Sequence, residues 1–139
     1  MTRHPYTDAM VQRHGREALA PLLSENVQFD SAALHRPFAG KDAVLRLLPV
    51  LRDCFEDVKV TDEFGAERSF AFVFSGRIGE RAVQGLQLVR LDAQDLIERI
   101  TGMVRPLTGL VALSDAMGPH VVTLSDGTHD IRSSSVDHT

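Results

Sequence analysis

The sequence predicts an α+β domain in which a strongly curved antiparallel sheet wraps around one long helix. Residues 41–55 place apolar side chains at three- and four-residue spacing, the pattern of an amphipathic helix. Four strand-like runs follow on short turns, which favours sequential antiparallel pairing. Before the helix, Val27, Phe29 and Ser31 alternate with polar residues, the pattern of a strand with one buried face. A bent sheet folded around the helix, as a roll or cone, accommodates all of these elements.

Two short helices are expected before the first strand. Thr7 or Asp8 is suited to cap the first, which runs to about residue 13, and the second covers residues 16–23. Pro21 lies too deep in that second helix for a first-turn proline, so a kink or a different boundary is expected there.

The strands after the long helix are assigned to residues 58–67, 68–77, 81–91 and 97–105. Inside the last two strands, Gly85 and Gly102 mark points of bulge or close approach. A closing helix is predicted at residues 107–117, ended by Gly118 and Pro119.

The chain is therefore divided into a folded domain, residues 1–118, and a polar C-terminal tail, residues 119–139. The tail is poor in large apolar residues, and most of it is expected to be disordered. A short edge strand at residues 121–124 is the alternative.

The composition of the chain limits the classes of function that it can have. The chain has 139 residues, 43% hydrophobic and 24% charged, with a formal net charge of −4, which is typical of one globular domain. The charge gives no reason to expect nucleic acid or an anionic membrane as a partner. Because Cys54 is the single cysteine, and because no leader and no apolar run of about 20 residues is present, we expect a cytoplasmic protein that crosses no membrane.

Three segments carry a resemblance to a known family: VQGLQLVRLD at residues 83–92, NVQFDS at 26–31 and HRPFAG at 35–40. Together they resemble the ketosteroid isomerase and SnoaL-like cyclase superfamily, which has the NTF2-like cone fold. The likeness extends over about residues 6–104 and implies a cone with short N-terminal helices and an internal pocket.

The resemblance also assigns positions to the family's catalytic groups. In the isomerases, a carboxylate on the first strand moves the proton, while a protonated Asp on a later strand and a Tyr on the first helix bind the enolate oxygen. The first two positions hold Ser31 and Gln87 here. A serine has no pKa near neutrality, so family-type isomerisation is disfavoured. Gln87 keeps an N–H donor for a ligand, or is a satisfied buried polar group. Tyr6 lies out of register and is expected to act as a surface anchor.

Limonene epoxide hydrolases, another branch of the superfamily, use an Asp-Arg-Asp set on neighbouring strands. The corresponding strand reads SFAFVF at residues 69–74, and the last-strand position falls near Gly102. The charged set is absent, so hydrolysis of epoxides by that route is disfavoured.

Three aromatic rings share one strand face, and this face belongs inside. Phe70, Phe72 and Phe74 alternate with small residues, and the rings either fill the core or line an apolar pocket. The predicted ligand-binding residues are Phe29, Ser31, Phe38, Phe72, Phe74, Val89 and Val104. The opposite face, with Ala71, Val73 and Ser75, suits homodimer packing, since the families that the chain resembles are commonly dimers.

His35 is the best titratable candidate, because it follows the first strand near the expected pocket mouth and has an unperturbed pKa of about 6.5. The alternative is an exposed loop histidine. The other histidines lie in the termini or at a helix break without metal-ligand spacing, so we expect no metal and no cofactor.

Three functions remain open from the sequence. The first is an isomerase or cyclase that acts on an apolar carbonyl compound, with Gln87 polarising the oxygen and His35 moving a proton. The second is a noncatalytic module that binds a small apolar molecule in the same pocket. The third is a dimerising domain with a filled cone.

Overall fold

Four helices and six strands make up the fold in the computed structural model, which describes residues 3–34 and 36–125, with side chains up to residue 119. The helices are α1 (Pro5–Val11), α2 (Arg16–Leu19), α3 (Lys41–Asp53) and α4 (Leu107–Ser125). The strands are β1 (Leu23–Ser31), β2 (Phe38–Ala39), β3 (Glu56–Ala66), β4 (Ser69–Ile78), β5 (Arg81–Leu91) and β6 (Ile97–Arg105). The predicted α+β class and the predicted order of its main elements are confirmed.

All six described strands form one sheet in the order β2-β1-β6-β5-β4-β3. Strands β3 to β6 are an antiparallel meander, as their short turns require. The sheet is nevertheless mixed, because β1 pairs in parallel with β6, for example Phe29 with Ile100. No short turn joins β1 to β6, so the spacing of the strands could not fix the relative direction of this pair.

Helix α3 packs its apolar face on the concave side of the sheet. Val44, Leu47, Leu48 and Leu51 are buried there, one or two turns apart. The helix ends at Asp53, two residues earlier than predicted, and Phe55 then enters the core from the start of the connection to β3.

The N-terminal helices begin and end at other residues than the sequence indicated. His4, not Thr7 or Asp8, caps α1, and its Nδ1 accepts the Tyr6 N–H at 3.0 Å. Helix α2 ends at Leu19, and a 3-10 turn holds Pro21 (Ala20–Leu22). A proline is compatible with the start of such a turn but not with a continuing helix. Strand β1 consequently starts at Leu23.

Helix α4 covers the concave side next to α3 and is longer than predicted. Its residues Leu113 and Met117 are almost completely buried. The helix continues through Gly118 and Pro119 to Ser125, so its predicted end at residue 117 is wrong, and residues 121–124 are helical and form no edge strand. A proline inside a helix removes one backbone donor and crowds the preceding turn, while the buried Leu113 and Met117 keep α4 packed on the core. Residues 126–139 of the predicted tail lie outside the described residues.

Within residues 3–34 and 36–125, none of the helices combines the length and the apolar character that crossing a membrane would require.

Candidate functional site

The inner face of β4 forms an aromatic wall inside the cone. Phe70, Phe72 and Phe74 are buried, with 3% to 8% of each residue exposed. Phe72 pairs across the sheet with Gln87 of β5, and Gln87 is also buried, with 6% exposed. The predicted inward orientation of Phe72, Phe74 and Gln87 is confirmed, and with it the register of β5.

Tyr6 joins α1 to this wall through a hydrogen bond. Its hydroxyl donates to Oε1 of Gln87 at 2.7 Å, and its side chain is completely buried. The expectation of a surface anchor is therefore wrong. Tyr6, Ala9 and Met10 lie at i, i+3 and i+4, which is the spacing of a buried helical stripe and the signal that should have placed Tyr6 inside.

Burial keeps the Tyr6 hydroxyl protonated. Desolvation raises the pKa of Tyr6 far above its ordinary value, and the positive charge of Arg52 offsets part of that rise. The phenol therefore remains a hydrogen-bond donor throughout the physiological pH range. It fixes the Gln87 amide with its oxygen toward Tyr6.

The nitrogen of the Gln87 amide is the group that this arrangement leaves for a ligand. Among the residues that the structure describes, no side chain or backbone group bonds to Nε2 of Gln87. A primary amide carries two N–H donors, so Gln87 can donate to a ligand oxygen while its own oxygen stays bound to Tyr6.

A cavity of about 120 Å³ opens beside Gln87, between α1, α3 and the sheet. Its walls carry Phe55, Phe72 and Phe74, and the Phe55 and Phe74 rings meet edge to face at 5.3 Å. The remaining lining residues are Met10, Val11, Arg13, Leu51, Arg52, Asp57, Val58 and Gln87.

Two of the three charged groups at this cavity are neutralised by neighbours. Arg13 is 2.6 Å from Asp53 and donates to the Phe55 carbonyl at 2.7 Å. The Asp57 carboxylate forms an ion pair with Arg77, with Oδ2 of Asp57 2.8 Å from Nη2 of Arg77. The third, Arg52, donates to the Ala9 carbonyl at 3.1 Å and makes no ion pair with any described residue.

A second cavity of about 20 Å³ lies on the other side of Phe74 and Gln87. Ser31 and Gly102 line it, and Leu113 of α4 closes it. This volume is about that of one water molecule. The Ser31 hydroxyl accepts the Ala33 N–H at 3.1 Å, so it is held within its own turn.

The structure brings some of the predicted ligand-binding residues together and separates others. Phe72 lines the larger cavity, and Phe74 and Gln87 line both. The smaller cavity also contacts Phe29, Ser31 and Val104. Two further predicted residues line neither cavity: Phe38 lies half-buried on β2, and Val89 is fully buried in the core. His35 lies outside the described residues.

Arg52 and Phe55 both line the larger cavity, and neither was predicted from the sequence as a site residue. Arg52 follows Leu48 by four residues and precedes Phe55 by three. That spacing places its stem at the border of the apolar helix face. An arginine at the border of an apolar helix face could therefore have predicted a charged group near the interior of the cone.

Within residues 3–34 and 36–125, no cluster of three His, Cys, Asp or Glu side chains could hold a metal ion.

The folded chain is similar to a steroid delta-isomerase from Pseudomonas aeruginosa. The two share 32% sequence identity with a TM-score of 0.78, over 85% of this chain and 87% of that protein. The chain belongs to the ketosteroid isomerase-like group of NTF2-like proteins. This assignment confirms the family resemblance that the three sequence segments indicated.

Other solved structures share the fold of this ketosteroid isomerase-like domain. A conserved bacterial protein with a cystatin-like fold, from Silicibacter pomeroyi DSS-3, is 27% identical with a TM-score of 0.74, over 78% of this chain and 77% of that one. A protein of ketosteroid isomerase-like fold from Catenulispora acidiphila, solved in complex with trimethylamine, is 18% identical with a TM-score of 0.60, over 83% and 95%. No protein-family model and no curated protein sequence matches the chain.

Proposed function

We propose that this ketosteroid isomerase-like domain binds a small apolar carbonyl compound in the larger cavity. The observation that carries the proposal is the Gln87 amide, which Tyr6 holds in place at the edge of an aromatic cavity. A ligand carbonyl accepts an N–H of Gln87, while its apolar part packs against Phe55, Phe72 and Phe74. Apolar walls with one or two fixed polar groups are the usual composition of a small-molecule site.

The size of the cavity favours a ligand smaller than a steroid. Sites for drug-sized ligands span about 300–1,000 Å³, and this cavity has about 120 Å³. A single-ring ketone is of suitable size. We therefore use acetophenone as a probe and ethylbenzene, which has a similar shape but no oxygen, as its reference.

Acetophenone is expected to raise the melting temperature of the natural chain in a dose-dependent way, and more than ethylbenzene does. The double variant Tyr6→Phe/Gln87→Leu removes the amide without leaving an unpaired hydroxyl. In this variant the two probes are expected to give equal shifts. The measurement is thermal unfolding followed by circular dichroism.

Two results would contradict the proposal. One is the absence of any shift with either probe up to their solubility limits. The other is an acetophenone preference that survives in the double variant, because the oxygen would then be recognised elsewhere.

Isomerase chemistry is a second candidate, favoured by the 32% identity to a steroid delta-isomerase. Gln87 would polarise the carbonyl oxygen, and a base would have to move the proton. Ser31, at the family's carboxylate position, is no base, and its hydroxyl is held by the Ala33 N–H. His35 remains the proposed proton carrier on the grounds of its sequence position and its side-chain chemistry.

The natural chain is expected to show no measurable Δ5-3-ketosteroid isomerisation. Ser31→Asp restores a carboxylate and is expected to give at most a trace of activity, because the cavity at Ser31 has only about 20 Å³. Ser24→Asp, on the same strand, is the matched control. The assay follows the conjugated product by ultraviolet absorbance. Substantial activity in the natural chain would require another base, and His35→Ala would then have to abolish it.

We also propose that the chain forms a homodimer through the outer face of the sheet. This face carries Ala71 and Val73 of β4, and the cross-strand register continues it through Leu86 of β5 and Met103 of β6. Met103 is 50% exposed. Contiguous apolar side chains on an outer surface favour burial against a second copy.

Sedimentation at micromolar concentration is expected to give about twice the 15.3 kDa chain mass. Val73→Glu places a charge in the centre of the proposed interface and is expected to give monomers. Ala93→Glu, in the exposed turn between β5 and β6, adds the same charge and should leave the dimer intact. A natural chain that sediments as a monomer would refute the dimer proposal.

A further inference from the structure

Arg52 has a hydrogen-bonding capacity that the described part of the chain does not use. One of its terminal nitrogens donates to the Ala9 carbonyl at 3.1 Å. Its Nε is buried and has no hydrogen-bond partner among the described residues. A buried N–H of a charged group without an acceptor is unfavourable, so such groups are normally paired in a functional state.

The charge of Arg52 is likewise unbalanced. The cavity's other charged groups, Arg13 and Asp57, are paired with Asp53 and Arg77. Arg52 makes no ion pair with any residue in the described part of the chain. The cavity therefore has one uncompensated positive charge on its wall, next to aromatic rings.

We infer that the natural ligand carries a carboxylate and that Arg52 binds it, so that the site takes a small aromatic or apolar monocarboxylate. A guanidinium presents its N–H groups in a planar fork that matches a carboxylate, and such charge-assisted bonds are about twice as strong as neutral ones. The aromatic walls accept the apolar body of the acid. This inference rests on the proposed function, which gives the location of the ligand, and it adds that the ligand is negatively charged.

Benzoate and acetophenone separate the two claims, because they have similar shapes and differ in charge. In calorimetric titrations of the natural chain, benzoate is expected to bind at least about ten-fold more tightly than acetophenone. Arg52 lines the cavity and has no ion-pair partner among the described residues, so it is the residue expected to cause this preference.

Arg52→Met keeps an apolar stem and removes the charge, and it is expected to abolish the preference for benzoate. Arg52→Lys keeps a point charge and is expected to retain a smaller preference. Arg46→Met is the matched control. Arg46 also lies on α3, and its buried Nε likewise lacks a hydrogen-bond partner among the described residues, but it pairs with Asp42 and does not line the cavity. This control should leave the preference unchanged.

Equal affinities for benzoate and acetophenone in the natural chain would overturn the carboxylate inference and leave the proposed function standing. The same holds if benzoate keeps its preference in folded Arg52→Met. Binding of neither probe would overturn both proposals. Loss of the preference in Arg46→Met as well as in Arg52→Met would assign it to the overall charge of α3 and overturn the role of Arg52.

Discussion

Replacing Gly85 by alanine is expected to lower the free energy of unfolding by about 2 kcal/mol, within the range of about 1–3 kcal/mol typical of overpacked cores. A Cβ at Gly85 would overlap the Phe74 ring, which lies directly across the sheet. That ring is also held by Phe55 in an edge-to-face contact, so it has little space to retreat. Urea unfolding of the variant measures the loss.

Gly102→Ala is the matched control for this prediction. Gly102 lies on the neighbouring strand β6, and the nearest atom to a new Cβ would be Cζ of Phe29 at 3.5 Å, an ordinary contact. Alanine is more favourable than glycine in a strand by about 0.5–1 kcal/mol, so this variant should be neutral or slightly stabilised. If Gly85→Ala behaves like Gly102→Ala, the Phe74 ring does not occupy the described position.

Removing one partner of the Tyr6–Gln87 hydrogen bond is expected to destabilise the chain by about 1–3 kcal/mol, because the other is left unsatisfied in the interior. Tyr6→Phe leaves Oε1 of Gln87 without its donor, and Gln87→Leu leaves the Tyr6 hydroxyl without its acceptor. The double variant removes both polar groups. Its loss of stability should be smaller than the sum of the single losses by at least about 1 kcal/mol.

The double-mutant cycle also tests the pKa argument. Since desolvation raises the pKa of Tyr6 well above its ordinary value of about 10, the coupling should persist from pH 6 to about pH 10.5, where an ordinary phenol is mostly ionised. Additive single losses would show that the two groups do not interact. A coupling that disappears by about pH 10.5 would show that the Tyr6 phenol ionises like an exposed one and that burial does not raise its pKa.

Strand periodicity fixed much of the fold in advance, because the alternation of Phe70, Phe72 and Phe74 depends only on which face is buried. The register of β5 followed from the family segment, and Gln87 is buried as expected. Element ends were less predictable. His4 caps α1 with a ring nitrogen. The known preference for Ser, Thr, Asp or Asn at this position does not predict a histidine cap.

The site was predicted only in part, because its cavity is formed by elements distant in the sequence. Tyr6 of α1 and Gln87 of β5 are 81 positions apart and meet through tertiary packing. Arg52 lines the cavity because α3 packs beside α1 and the sheet there. Neither the volume between the elements nor an unused N–H group can be read from spacing alone.

The parallel pairing of β1 with β6 has a consequence for the order of folding. The meander from β3 to β6 joins strands that are neighbours in the chain, whereas Phe29 meets Ile100 only after a long loop closes. Pairings with such high sequence separation are slow to form. We therefore expect β1 to join the sheet last, with substitutions in β1 changing the unfolding rate more than the folding rate. During synthesis, β1 would thus leave the ribosome well before β6 and would lack its main partner until β6 follows.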